Sequence, residues 1–296
     1  MALLGFPIGK STNTILVFRW CHCRKKTARR HPMKSVWLMY HDVYREEPLQ
    51  GIPRSASMYH VSEKIFKQHL SVIIASGRKV ITITEFLKGN FEDSVVLTFD
   101  DGWRGSFEIA MPLLQKFGLK ATFFITKDFV GRKGFCDREN ILRAVSAGME
   151  IGLHGTTHRM LASCSREEIL WEFYTCKQFL ESLLGQKIDS ASLPGGDLNR
   201  IIIACTKEAG LKSLCASRPG INKIGTSLFN LKRVAIREST SASEVQRYCN
   251  YNINKELIRW ALFQVPYLLM GKKNYAYLRR WLLGERRGEG DILFKP

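Results

Sequence analysis

The chain is expected to fold as an α/β barrel, and three observations point there. Short apolar strands alternate with helix-period segments over most of the sequence, the pattern of parallel strands joined by helical crossovers. The polar residues with most chemistry stand where strands end, the place at which α/β barrels put their sites. The length of 296 residues suits one barrel with a large core, and neither an internal repeat nor a linker suggests a second domain.

The elements follow in order. Residues 35–41 read as a strand ending at His41. Residues 61–74 have helical apolar spacing, with Ser62 as N-cap and a stop at Gly77. Residues 79–83 form a short strand, and Val95 to Asp100 a buried one. A helix over 111–117 closes at Gly118. Strand 121–125 and helix 138–147 come next, then strand 151–154. Ser165 and Glu168 stand at capping-box spacing and open a long helix to Leu184. Strand 191–193 ends in Pro194-Gly195-Gly196, and a helix over 201–209 ends at Gly210.

The most informative segment is Val95-Val96-Leu97-Thr98-Phe99-Asp100-Asp101-Gly102. A strand ends there in two adjacent carboxylates, and where the chain turns both acids can reach one cleft. Like charges so close are costly unless a cation or a proton lies between them. Alone, Asp-Asp-Gly is better read as a turn. A second strand end, however, carries His154-Gly155-Thr156-Thr157-His158, two imidazoles four residues apart. The pair of strand ends together suits a metal site.

Thr98 to Gly102 and His154 to His158 resemble the first two motifs of the polysaccharide deacetylases, the NodB-homology group or carbohydrate esterase family 4. The resemblance runs from about Trp37 to about Val245. It implies a distorted (β/α)7-type barrel, the NodB-homology fold, and a hydrolase of carbon–nitrogen bonds that are not peptide bonds. It implies Asp100 as general base, and Asp101, His154 and His158 as ligands of a divalent metal, zinc in most of the family.

Two family features are displaced. The third motif carries an Arg that orients the base and a backbone N–H for the oxyanion. Here Ser192-Leu193-Pro194-Gly195-Gly196 matches it, with Ser192 in place of the Arg. Pro194 and Gly195 remain for the oxyanion and substrate, and no single residue replaces the Arg. The late histidine that supplies the general acid is also missing, since no histidine follows His158. Leu38-Met39-Tyr40-His41 resembles instead the first strand of the circularly permuted exopolysaccharide de-N-acetylases, which implies His41 as the acid. Asp42 is expected to be structural or to orient His41, and His69 to be structural. His22, His31 and His60 sit in polar or leader contexts. Arg218, in a strand-end loop, is a weaker candidate to lie over the site.

The implied function is metal-dependent removal of acetyl groups from an N-acetylated sugar in a polysaccharide or a lipid-linked glycan precursor. The rival reading is a non-catalytic glycan-binding or membrane-surface adaptor that keeps the barrel.

Net charge is +18, and its placement matters more than its size. Residues 1–35 hold eight Lys or Arg and no acid, and are expected to be a poorly ordered basic leader. Residues 36–250 hold the barrel. Residues 251–296 hold nine bases against four acids and mix them with Trp260, Leu262, Phe263 and other large apolar groups, a basic amphipathic extension. That extension suits peripheral contact with an anionic membrane or, equally, a terminal helix packed on the barrel. Its apolar run is interrupted by Arg259 and Pro266 and is too short to span a bilayer. No zinc finger or other nucleic-acid motif accompanies the charge, so no specific nucleic acid is expected. The eight cysteines have no framework spacing, and Cys21-His22-Cys23 lacks a second ligand pair. Reduced thiols and a cytoplasmic location, with or without membrane association, are the expectation.

Overall fold

The computed structural model describes residues 33–89, 91–262, 264 and 269–271. The basic leader up to His31 and most of the C-terminal extension lie outside these residues. So do Cys21, His22, Cys23 and His31.

The chain runs β1 (Lys34–Tyr40), β2 (Val43–Tyr44), α1 (Arg54–Ser57), β3 (Val61–Ser62), α2 (Glu63–Ala75), β4 (Lys79–Ile81), α3 (Ile83–Leu87) and β5 (Ser94–Phe99). It continues with α4 (Met111–Lys116), β6 (Thr122–Ile125), α5 (Arg138–Ser146), β7 (Glu150–Leu153), α6 (Arg166–Leu184) and β8 (Ser190–Ser192). Then come α7 (Arg200–Glu208), β9 (Ser213–Cys215), β10 (Ile221–Lys223), β11 (Val234–Ala235) and α8 (Ala242–Cys249).

One curled sheet carries the fold, in the order β10-β1-β5-β6-β7-β8-β9, with β4 beside β5 and β11 beside β1. All pairs are parallel except β1 with β10. The segment before β11 joins the far ends of the sheet. Leu231 donates its N–H to Leu214 at 3.0 Å and accepts from Ala216 at 2.9 Å, beside β9. Three residues later Val234 is paired with Leu38 of β1. The first strand is therefore an interior strand, flanked by the last ones.

Burial on both faces explains why the strands read as continuous apolar runs. Val36, Leu38 and Tyr40 belong with Val95, Leu97 and Phe99 to the cluster that also holds Phe66, Leu70 and Ile73 of α2. The alternate residues Trp37 and Val96 pack with Phe124, Cys215 and Leu231 in a second cluster. A strand has two faces, and here each has its own core.

The helix caps follow the sequence. Ser62 accepts from the Ile65 N–H, and Ser165 and Glu168 form the reciprocal box. Two boundaries differ from expectation. Ile83 starts α3 instead of ending a strand, because Thr82 and Glu85 form a capping box one residue earlier. A π-helical turn, Ser106–Ala110, precedes α4. The strands β9 to β11 were not legible, being two or three residues long. The described cysteines, from Cys136 to Cys249, are free thiols.

Candidate active site

The ends of β5 and β7 bring Asp101, His154 and His158 together, as expected. Asp101 Oδ1 lies 3.1 Å from Nε2 of each histidine. One ligand atom from each of the three falls within 4.8 Å of the others. Asp101 and His158 are both non-glycine residues at positive φ, 73° and 64°. Such a conformation costs on the order of 1–3 kcal/mol and survives where the surroundings impose it. The surroundings do so here. Trp103 Nε1–H donates to Asp101 Oδ2 at 2.9 Å, and His154 Nδ1–H donates to the Ser192 carbonyl at 3.0 Å. With Nδ1 so engaged, His154 Nε2 is left as the ligand nitrogen, the arrangement that fixes tautomer and ring direction in metal-binding histidines.

The loop that carries the two histidines is held from beneath by Glu172, a buried acid of α6. Its Oε2 accepts the N–H groups of Thr156 at 2.6 Å and Thr157 at 2.9 Å, and Oε1 accepts the Thr157 hydroxyl. Gly155 stands at φ 85° with Glu172 Oε2 3.0 Å from where a Cβ would be, so the turn admits little else. Glu172 was missed in the sequence. Its signal was there: an acid on the stripe Ile169, Phe173, Cys176 and Leu180, which faces the core.

Asp100 is buried next to this triad and meets a partner that sequence reasoning also missed. Arg233, fully buried, donates Nη1–H to Oδ1 at 2.7 Å and Nη2–H to Oδ2 at 2.8 Å. Nη2 also donates to the Ser192 hydroxyl at 2.7 Å, and that hydroxyl donates to Asp100 Oδ2 at 2.9 Å. Ser192 thus stands where an Arg was expected and fastens an Arg from elsewhere. A serine leaves the volume that a guanidinium entering from the other side needs. Sequence offers a weak hint only, a base before the apolar run Val234-Ala235-Ile236.

The electrostatics separate the two acids from ordinary carboxylates. Burial pushes Asp100 up, but the Arg233 and His154 charges and the Arg233 hydrogen bonds outweigh it, and the net shift is down. Asp101 is likewise raised by burial and pulled back further by His158 and His154, ending well below the usual range. Both stay ionised at neutral pH. His154 is raised: burial alone would lower it, and Asp100 and Asp101 overcome that.

His41 follows β1, beside these groups. Its ring stacks on Tyr59, with centroids 4.8 Å apart, and its buried Nδ1 has no hydrogen-bond partner. Burial lowers its pKa, partly offset by the nearby charges of Asp101 and Asp100. Asp42 does not hydrogen-bond His41. Its carboxyl faces His60, 3.8 Å from Nδ1, and Tyr59 sets the His41 plane instead. His60 is buried against the edge of Trp103, centroids 4.6 Å apart, not in the polar context the sequence suggested. His69 is structural as expected, between the Tyr40 hydroxyl at 3.2 Å and the Thr240 carbonyl at 2.9 Å.

After β8, Pro194 is buried and lies 4.0 Å from where a Gly155 Cβ would stand, beside the histidine loop. Gly195 has φ 68°, and a Cβ there would meet Met160 Sδ at 2.3 Å. Arg218 meets an aromatic ring of the C-terminal stretch. Its guanidinium lies over the Trp260 ring, 4.6 Å from the centroid.

Known proteins resemble the chain in sequence and in fold. Residues 88–214 match the family described as Polysaccharide deacetylase. The Bacillus subtilis protein YxkH, named as a polysaccharide deacetylase, is 25% identical over 223 residues, 73% of this chain and 76% of that one. The poly-β-1,6-N-acetyl-D-glucosamine N-deacetylase of Staphylococcus aureus is 27% identical over 175 residues, 52% of this chain and 60% of that enzyme. The deacetylase PplD of Streptococcus pyogenes, solved with acetate, superposes with a TM-score of 0.67 at 22% identity, covering 73% of this chain and 98% of that one. The chain is thus similar to the polysaccharide deacetylases, hydrolases that act on carbon–nitrogen bonds other than peptide bonds, through the family match over residues 88–214 and through relatives and structures that span most of its length.

Proposed function

We propose that the protein is a metal-dependent N-deacetylase that removes acetyl groups from an N-acetylated sugar of a polysaccharide or a lipid-linked glycan precursor. The observation that carries this reading is the clasp of Asp100 by Arg233. The base keeps an orienting arginine although its expected place holds Ser192.

Asp101, His154 and His158 would hold the metal, and the set fits one: two imidazole nitrogens and a carboxylate oxygen converge, each fixed by a second hydrogen bond or a strained backbone. Two histidines and one carboxylate leave coordination positions open, as catalytic zinc sites do. A zinc ion held there would supply Lewis acidity, which brings the pKa of bound water toward ~7.

The residues of the chain do the rest. Asp100 takes a proton from the attacking water. Its low pKa keeps it ionised and ready, and Oδ1, which receives one donor where Oδ2 receives two, has accepting capacity left. The Gly195 N–H is the donor assigned to the oxyanion, a role that needs no side chain. His41 delivers a proton to the departing nitrogen, because an amine leaves poorly as an anion. The low pKa that burial gives it makes it a strong donor once charged.

The test is acetate release from chito-oligosaccharides by zinc-loaded protein, with zinc stoichiometry measured alongside. Full metal occupancy without acetate release from any of several acetylated glycans would favour the adaptor. Among the described residues no helix is long and apolar enough to cross a membrane.

A further inference from the structure

Beyond α8 the chain turns at Tyr251, φ 60°, and residues 254–262 form another helical stretch. It starts beside the first residue of β1, where the Tyr251 hydroxyl donates to the Lys34 carbonyl at 3.0 Å, and two sets of contacts then tie it to residues that adjoin the site. Glu256, buried, accepts the Tyr248 hydroxyl at 2.8 Å and pairs with Arg259 at 3.2 Å and Arg237 at 3.8 Å. The Arg237 guanidinium lies 5.6 Å above the Tyr59 ring, the ring that stacks on His41. Independently, Trp260 packs beneath Arg218, whose carbonyl accepts the N–H of Arg233 at 3.0 Å. Ile253, Glu256 and Trp260 mark the inward face.

The outward face is apolar where solvent should favour charge. Leu257 is 37% exposed, Ile258 60% and Leu262 66%, and Leu269, further on, is 80% exposed. Lys255 and the half-exposed Arg259 flank this surface. The segment 251–296 carries nine bases against four acids. Apolar side chains set among cations are the two halves of an interfacial helix. The apolar groups enter the acyl boundary, and the bases remain among anionic headgroups. A second copy of the chain would bring a like positive charge to the same face.

We infer that the outward face of 254–262 seats the barrel on an anionic lipid bilayer. Resting on the deacetylase reading, this makes the substrate a glycan held at the membrane surface by its lipid rather than a free polymer. An enzyme seated there meets a lipid-linked sugar already confined to its own plane.

The test uses the full chain and two kinds of vesicle, phosphatidylcholine alone and phosphatidylcholine mixed with phosphatidylglycerol. The parent should cosediment with the mixed vesicles and not with the neutral ones. The Ile258→Glu/Leu262→Glu variant should lose at least about tenfold of that affinity and keep acetate release from soluble chito-oligosaccharides. Ile258→Ser/Leu262→Ser, which adds no charge, should fall in the same direction and serves should the charged pair unfold. Equal cosedimentation of parent and both variants would assign binding to tail charge alone and overturn the inference. So would a parent that ignores both vesicles, or a parent dimer in sedimentation velocity that the variants split. Failure of acetate release in a parent that still binds vesicles would strike the deacetylase reading instead.

Discussion

Arg233 and Asp100 stand 133 residues apart in the chain and meet as a two-point ion pair, Nη1 to Oδ1 at 2.7 Å and Nη2 to Oδ2 at 2.8 Å, both fully out of solvent. Removing one member leaves the other as a lone buried charge, which typically costs about 3–5 kcal/mol. Arg233→Met is therefore expected to lower the unfolding free energy by an amount of that order. It should also lower turnover about 10²-fold, the scale of a misplaced catalytic group. Denaturant unfolding and acetate release measure the two. Asp100→Asn/Arg233→Met should regain part of the stability and none of the activity. A single Arg233→Met that unfolds like the parent would show the pair to be inconsequential.

Asp100→Asn should keep its metal, because Asp100 is not among the three converging ligands. Turnover should fall by roughly 10²–10⁴, as for a lost general base. Parent-like turnover in this variant would mean that the roles of the two acids are reversed.

His154→Ala and Asp101→Ala each remove one of three ligand atoms, and zinc stoichiometry should collapse in both. Asp101→Ala should in addition free Trp103 Nε1–H, now bonded to Oδ2 at 2.9 Å, and shift tryptophan emission. Full zinc in His154→Ala would contradict the ligand set.

His41→Ala should retain metal yet lose most amide hydrolysis. An activated ester, whose leaving group departs without a proton, should be spared much of the loss. Equal losses on both substrates would mean that His41 shapes the cleft and does not protonate the leaving group.

Asp42 and His60 set opposing pH slopes in metal-free protein. Burial pushes Asp42 up to about 7, against the backbone N–H groups of Val43, Ser106 and Gly105. In the unfolded chain it titrates near ~4. Between those values the native state binds the extra proton, so its contribution falls as pH rises from ~4 to about 7. Burial and the neighbouring His41 push His60 down to about 3. There the unfolded chain binds the extra proton, and stability rises with pH until ~6.5. Asp42→Asn removes only the first slope. Under chelation, its stability relative to the parent should climb from pH ~4 to ~7 and then level. A constant difference across that range would refute the buried, neutral Asp42.

The long elements and the convergence of Asp101, His154 and His158 were readable because their determinants are local. A capping box lies within four residues, a helical stripe repeats within a turn or two, and each site motif is one strand end. Arg233 and Glu172 were not, since what gives them meaning is distant. Arg233 needs the gap that Ser192 leaves, and Glu172 needs the N–H groups of Thr156 and Thr157. His60 misled for a related reason. A histidine beside a short helix looks solvated, and the packing of Trp103 that buries His60 appears only in three dimensions.

The placing of β1 between β5 and β11 has a consequence for synthesis. A ribosome releases the strand that bears His41 first and the segment that bears Arg233 almost two hundred residues later. Until then the Leu38 end of one edge of β1 has no partner and Asp100 no cation. The nascent barrel must wait, open along that seam, with a carboxylate that resists being closed in. The chain thus times its own completion: the last strand to arrive is also the counter-charge that lets the interior dry.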